Sequence, residues 1–238
     1  EDLKILVMSA TLDGASVARL LGNAPILTSE GRSYPIDVYY RPIRSQYERE
    51  RLTFCDEVAA AVQYALHEES GSVLVFLPGA GEIRLVQTAL TRANLGADVI
   101  LAPLYGQLEA VAQDLAIQVA PDEKRKVVLA TAIAETSLTI DGIRVVIDAG
   151  LMRRQRFNPS TGLTQLVTIP VSQAAANQRS GRSGRLQAGI CYRLWKESKH
   201  LQEYTPPEIR EADLTAFVLE VAQWGGWITR LRRTIHKL

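Results

Sequence analysis

Short, unbroken apolar runs alternate along the chain with stretches whose apolar residues recur at helical spacing. Leu3-Lys-Ile-Leu-Val-Met8 reads as a buried strand, and a helix from about Asp13 to Leu21 follows until Gly22-Asn23 ends it. Ile36 to Tyr40 predicts the next strand. A long helix from about Glu48 to Glu69 comes after it, with apolar residues at Val58, Val62, Ala65 and Leu66. Ser72 to Leu77 is the strongest strand signal, closed by Pro78-Gly79, with a helix from Gly81 to Asn94 behind it. Val99 to Tyr105, a helix near Leu108 to Val119, Lys126 to Thr131 and Val145 to Asp148 continue the rhythm. Strands separated by helices in this way predict βαβ crossovers, a parallel sheet and helices on both faces.

Two places break the alternation. Residues 151–170 hold Asn158-Pro-Ser-Thr-Gly162, a turn cluster between Arg156-Phe157 and Leu163 to Ile169, which predicts an antiparallel hairpin. From Trp224-Gly225-Gly226 onward the chain becomes a basic tail with Arg230, Arg232, Arg233 and Lys237, which reads as a surface helix or an appended remnant. The chain starts inside a predicted strand, without an initiator Met, as a piece cut from something longer does.

Composition narrows the class. The 238 residues are 47% hydrophobic and 22% charged, values of a folded, water-soluble domain that exclude disorder, collagen and coiled coil. Apolar runs such as Val73 to Pro78 fall far short of the ~18 residues a membrane helix needs, and the acidic Glu1-Asp2 start lacks the basic n-region expected of a signal peptide. A cytoplasmic protein without a membrane partner is expected. Cys55 and Cys191 have no CxxC partner, and His67, His200 and His236 are scattered, so neither a disulfide framework nor a metal site is predicted. The net charge of +1 conceals a segregation: residues 151–200 carry nine Lys/Arg against the single acid Glu197, which leaves −7 for the rest. That asymmetry suggests a face for a polyanion, with a solvated basic surface as the alternative.

The sharpest chemical signal is the octet Gln178-Arg-Ser-Gly-Arg-Ser-Gly-Arg185. Three arginines at steps of three predict one side of a helical turn, and the glycines between them let a ligand or another backbone approach. Guanidinium forks grip phosphate oxygens in bidentate fashion at any working pH. A solvent-facing helix explains the pattern less well, because each interior glycine costs a helix about 1 kcal/mol relative to alanine. A second signal, Ala130 to Gly142, sets Thr131, Thr136, Ser137 and Thr139 just past the strand Val127 to Leu129, where open α/β sheets bind ligands. An ordinary capping turn is the other reading of that stretch. A third, Ser9-Ala-Thr-Leu-Asp13, would on its own be a helix cap provided by Thr11 or Asp13.

Taken in order, these motifs form a set. Ser9-Ala-Thr11, Leu74 to Gly79 with Glu82-Ile83, Leu104-Tyr-Gly-Gln-Leu108, the Thr131 stretch, Val146-Ile-Asp-Ala-Gly150 and the octet closely resemble the carboxyl-terminal half of DEAH-box helicases of superfamily 2. Phe76-Leu-Pro-Gly79 and Gly189-Ile-Cys-Tyr-Arg-Leu-Trp195 are most similar to the bacterial HrpB type. The resemblance runs from about Leu3 to Trp224, and six of the eight octet residues fit the family's last motif.

This resemblance implies an α/β fold: a RecA-like three-layer sandwich with a mainly parallel sheet and an antiparallel hairpin insertion. It implies the end of a first RecA-like domain or an interdomain segment over residues 1–30, the second RecA-like domain over 31–200, the start of a helical region over 201–226 and the basic tail over 227–238. Gln178, Arg182 and Arg185 match residues that reach the nucleotide's γ-phosphate, the arginines as fingers. Thr139, Asp141 and Ile117 match nucleotide-side positions. Gly106, Gln107, Thr131, Thr136 and Ser137 match the nucleic-acid track, with Arg153 and Arg154 expected to add contacts. Ser9 and Thr11 match the motif that couples hydrolysis to domain movement, and the hairpin near 157–169 matches a strand-separating wedge.

The chain departs from the family pattern in two places. Ala132 stands where the family usually has Asn, and Ile117 stands where many relatives place an aromatic ring against adenine, which predicts weak base stacking. The 238 residues hold no Gly-x-x-x-x-Gly-Lys-Ser/Thr loop and no Asp-Glu-Ala-His box. The expected ligand is therefore ATP with Mg²⁺, whose metal ligands lie in a first RecA-like domain of the same parent chain. The expected partner is single-stranded RNA or DNA. The competing class is a non-catalytic nucleic-acid-binding or protein-docking module. An unrelated phosphate-transferring α/β enzyme would need a complete site within this chain, and none is legible.

Overall fold

The structure, a computed structural model, describes residues 4–8, 14–28, 34–121, 124–136 and 138–224. In chain order the elements are α1 (Gly14–Leu20), β1 (Ile36–Tyr40), α2 (Arg51–Glu68), β2 (Ser72–Phe76), α3 (Ala80–Arg92), β3 (Val99–Leu104), α4 (Ala110–Ile117) and β4 (Arg125–Ala130). They continue with α5 (Ile133–Thr136), β5 (Ile143–Asp148), β6 (Leu151–Asn158), β7 (Leu163–Pro170), α6 (Gln173–Ser180), β8 (Gly189–Arg193), a 3-10 turn at Glu208–Arg210 and α7 (Thr215–Gln223). Six strands form one sheet in the order β1-β8-β5-β2-β4-β3, and every pairing in it is parallel.

The inner strands read as unbroken apolar runs because parallel strands under helices are buried on both faces. On one face Val73, Val75, Val127, Leu129, Val145 and Ile147 meet Phe54, Val58 and Val62 of α2 and Ile83, Val86 and Leu90 of α3. On the other, Leu74, Phe76, Val128 and Val146 meet Ala116 of α4, Ala134 of α5 and Ile140. Helices therefore cover both faces, as the alternation predicts. Pro103 is tolerated within β3 because β3 is an edge strand and its missing N–H leaves no broken ladder bond.

The hairpin follows β5 after a turn in which Gly150 (φ +74°) donates its N–H to Asp148 Oδ1 at 2.9 Å. β6 and β7 pair antiparallel from Leu151↔Pro170 to Asn158↔Leu163, as a separate two-stranded sheet. The turn cluster behaves as its composition predicts: Asn158 Oδ1 accepts from Ser160 N (3.1 Å) and Oγ (2.6 Å).

The predicted strand at Leu3 to Met8 is not observed. Residues 4–8 are irregular, and Ile5 (66%), Leu6 (78%), Val7 (47%) and Met8 (82%) are exposed. An apolar run predicts a strand only where a neighbouring strand completes its ladder, and among the described residues none pairs with it.

Cys55 and Cys191 are both buried, and burial, aided by the nearby charge of Glu82 for Cys55 and of Asp148 for Cys191, pushes each thiol up to about 12. A thiol attacks a disulfide as its thiolate, so neither should react with Ellman's reagent within minutes at pH 8 in the native protein, and both should react in denaturant. Prompt native-state reaction would mean that these core faces open.

Candidate functional site

The site is organised by a buried arginine. α6 is started by Ser172, whose hydroxyl accepts from Ala175 N at 3.2 Å, and it ends at Ser180. Arg179, in its last turn, is fully buried. Its Nη1 donates to Asp148 Oδ1 at 2.7 Å and to the Leu151 carbonyl at 3.2 Å, and its Nε donates to Glu135 Oε1 at 2.7 Å. The guanidinium lies 4.9 Å from the Phe76 ring centroid. Burial opposes its charge, but the Asp148 and Glu135 carboxylates outweigh that and raise its pKa. One side chain thus ties α6 to the end of β5 and to α5.

The helix stops inside the octet, so its arginines do not share one helical face as their spacing predicts. Gly181 follows the helix, and Arg182 and Ser183 continue as a tight turn, with Arg182 N on Arg179 O and Ser183 N on Ser180 O, both at 3.1 Å. The turn aims the two arginines differently. Arg182 is buried, donating from Nη1 to the Leu138 carbonyl at 2.7 Å and from Nη2 to the Glu135 carbonyl. Burial, with the charge of Arg185, lowers its pKa to about 10, which leaves it charged at neutral pH. Arg185 is exposed and donates from Nη1 to Thr139 Oγ1 at 3.0 Å. The close approach that Gly184 permits is to the chain itself, since a Cβ there would lie 2.9 Å from the Tyr34 carbonyl and 2.7 Å from Ile36. Gln178 sits half-buried on α6.

The remaining predicted residues fall into two groups. Thr131 N donates to the Leu104 carbonyl at 3.2 Å, so Thr131, at the carboxyl end of β4, lies beside the exposed turn of Gly106 and Gln107 that follows β3. Thr136 closes α5. Ser9, Thr11 and Ser137 lie outside the described residues. The second group gathers near the amino end of β4 around Lys126, which is buried. Its ammonium donates to the carbonyls of Leu115 (3.0 Å), Ala116 (3.1 Å) and Gln118, capping the end of α4 where Ile117 sits. Burial lowers the Lys126 pKa, and the nearby Asp141 carboxylate works against that. Lys126 is thereby a neighbour of both Ile117 and Asp141 that sequence reasoning missed; its one signal is a charge within an apolar strand.

The basic segment is less free than its charge predicts. Arg154, expected to meet nucleic acid, is buried with Nε 2.8 Å from Glu211 Oε2 and Nη2 on the Pro206 carbonyl. Arg153 turns to the opposite side, with Nη2 3.2 Å from Glu82 Oε1. Arg193 is buried against Tyr40 and Trp195 and donates to Tyr40 Oη and Asn177 Oδ1, both at 2.9 Å. With Arg179 and Arg182, four of the nine basic side chains of 151–200 are interior. On β6, Arg153 and Arg154 face opposite sides because successive residues of a strand alternate. Arg156, nearer the tip, is exposed.

The family described as helicase conserved C-terminal domain matches residues 56–187, more than half of the chain. The chain belongs to that helicase family. It is 48% identical over 227 residues to the ATP-dependent RNA helicase HrpB of Escherichia coli (strain K12), covering 94% of this chain and 27% of that protein. It is 41% identical over 226 residues to the ATP-dependent RNA helicase HrpA of the same organism, covering 94% and 17%. A crystal structure of the Escherichia coli DEAH/RHA helicase HrpB superposes with a TM-score of 0.87 at 49% identity, over 94% of this chain and 28% of that one. The chain spans about a quarter of the length of HrpB. The predicted RecA-like fold and the resemblance to DEAH-box helicases of the HrpB type both hold. The helicase match contains the Thr131 stretch, the hairpin and the octet, while β1 and β8, which complete one side of the sheet, lie outside it. No helix among the described residues is long and apolar enough to cross a membrane, and none of their His, Cys, Asp and Glu side chains form a group of three that could hold a metal ion.

Proposed function

We propose that this domain is the second RecA-like motor unit of a cytoplasmic, ATP-dependent RNA helicase, presenting arginines to ATP along one side and a single-strand track along the carboxyl ends of its strands. The observation that carries the reading is Arg185: an exposed guanidinium held at Thr139 by a turn whose base, Arg179, is locked in the core. A charged fork on a rigid, buried support suits charge that develops only in a transition state, because it needs no reorganisation when that charge appears. ATP with Mg²⁺ supplies the phosphoryl group whose transfer drives the cycle. Arg185 and Arg182 stabilise the charge spread over that group, Gln178 orients beside them, Thr139 and Asp141 flank the phosphates and ribose, and Ile117 lies at the base. The Mg²⁺ ligands and the phosphate loop are assigned to a first RecA-like domain of the same parent chain.

Gly106, Gln107, Thr131, Thr136 and Ser137 hold the backbone of single-stranded RNA or DNA, with few base contacts. Ser9 and Thr11 couple hydrolysis to domain movement, and the hairpin tip parts the strands. Half a site does not turn over. The 238-residue chain alone is therefore expected to release no phosphate from ATP above background, with or without RNA, while the full-length protein does so when RNA is added. RNA-stimulated, Mg²⁺-dependent release by the isolated chain would overturn the division of labour proposed here.

A further inference from the structure

The carboxylate of Glu82 is fully buried at the start of α3, just past the carboxyl end of β2. Burial of a charge is tolerated only with partners, and Glu82 has three. Its Oε1 lies 2.5 Å from Arg51 Nε and 3.2 Å from Arg153 Nη2, and it accepts from the Tyr47 hydroxyl at 2.9 Å. Tyr47 Oη in turn accepts from Thr168 Oγ1 at 3.4 Å. Arg153 and Thr168 are directly opposed in the β6–β7 ladder, so both strands of the hairpin are tied to one carboxylate at a single rung. Gly79 leaves the space for this, since a Cβ there would stand 2.5 Å from Arg153 Nη1.

The next residue is clamped from the other side. Arg154 pairs with Glu211, and Phe157 N donates to the Glu211 carbonyl at 2.8 Å. A two-stranded hairpin has little stability of its own, and this one extends five residues beyond Arg153 to Asn158, about 17 Å at ~3.4 Å per residue. Its angle is set jointly by the Glu82 cluster at the Arg153–Thr168 rung and by the Glu211 contacts at Arg154 and Phe157.

We infer that Glu82 is a positioning residue for unwinding: it anchors the β6–β7 hairpin to the carboxyl edge of the motor sheet, so that movement of the sheet reaches the hairpin tip as a lever. This rests on the reading of the domain as a helicase motor with a strand-separating hairpin. Glu82 takes no part in ATP turnover, because its partners are Tyr47, Arg51 and Arg153 while the Arg182–Arg185 turn binds Glu135, Leu138 and Thr139.

The test compares Glu82→Gln and Tyr47→Phe with wild type in the full-length protein, measuring RNA-stimulated ATP turnover, single-stranded RNA affinity and base pairs opened per ATP. Glu82→Gln is expected to keep turnover and affinity within about twofold while base pairs opened per ATP fall by about tenfold. Tyr47→Phe, which removes the hydroxyl that joins Glu82 to Thr168 and leaves the Arg51 and Arg153 pairs in place, should lose about threefold by the same ratio. Unchanged coupling in Glu82→Gln, or turnover and unwinding falling in proportion, would overturn the inference. If Glu82→Gln does not fold, unchanged coupling in Tyr47→Phe overturns it and the threefold loss supports it. A wild-type protein that neither hydrolyses ATP nor opens duplexes would instead refute the motor reading, and this role with it.

Discussion

Replacing Arg185 by alanine in the full-length protein is expected to lower RNA-stimulated ATP turnover by ~10³–10⁵-fold, the usual worth of an arginine finger. Single-stranded RNA affinity should stay within about twofold, because Arg185 bonds to Thr139 and is not among the residues assigned to the strand's backbone. The substitution is a clean one. Arg185 is exposed and bonds to Thr139 Oγ1, a surface hydrogen bond worth about 1 kcal/mol at most, so the fold should survive its loss. Arg182→Ala would be harder to read, since it strips the Glu135 and Leu138 carbonyls of a buried donor and mixes structure with chemistry. Lysine at 185 should rescue poorly, because a point charge does not reproduce the planar fork. Phosphate-release and RNA-titration assays on the same preparations check this. Near wild-type turnover, or parallel loss of turnover and RNA affinity, would place Arg185 on the nucleic-acid side or in a purely structural role.

Arg179→Met is expected to destabilise the domain by ~3–5 kcal/mol, a large share of the ~5–15 kcal/mol that holds an ordinary domain together. The methionine fills part of the volume but leaves the carboxylates of Asp148 and Glu135 inside without their cation, and it cuts the link between α5, β5 and α6. The midpoint of urea unfolding reports the loss. A shift equivalent to less than about 1 kcal/mol would mean that the carboxylates find other partners and that the octet does not depend on this pin.

The sheet was legible because β2, β4 and β5 are buried on both faces, which leaves a continuous apolar signature in the sequence. The hairpin was legible from Asn158 to Gly162, whose turn chemistry is local. What depends on distant parts of the chain was not. The apolar residues 4–8 signal burial without saying against what. Arginines at steps of three predict a helix, yet Gly181 follows its last turn and sends Arg182 and Arg185 into a turn, where one is buried and the other exposed. Arg153 and Arg154 look alike in sequence, and alternation along β6 says only that they face opposite ways. Their partners, Glu82 and Glu211, lie 71 and 57 positions away and are visible only once the chain is folded. Lys126, a fully buried charge with no motif of its own, is passed over by such reasoning, and Glu82, which belongs to a motif, gives no sign in the sequence that it is buried or what it pairs with.

The central claim is that Arg185 meets charge that exists only while the phosphoryl group is in transfer. The most direct measurement is the affinity of the full-length protein, with RNA present, for ADP carrying a planar aluminium fluoride group, compared with its affinity for a non-hydrolysable ATP analogue. A residue that acts in the transition state should affect the first far more than the second. For Arg185→Ala the account predicts a loss of about 100-fold or more for the fluoride complex and about twofold or less for the ground-state analogue. Equal weakening of both ligands, or no weakening of either, would contradict it.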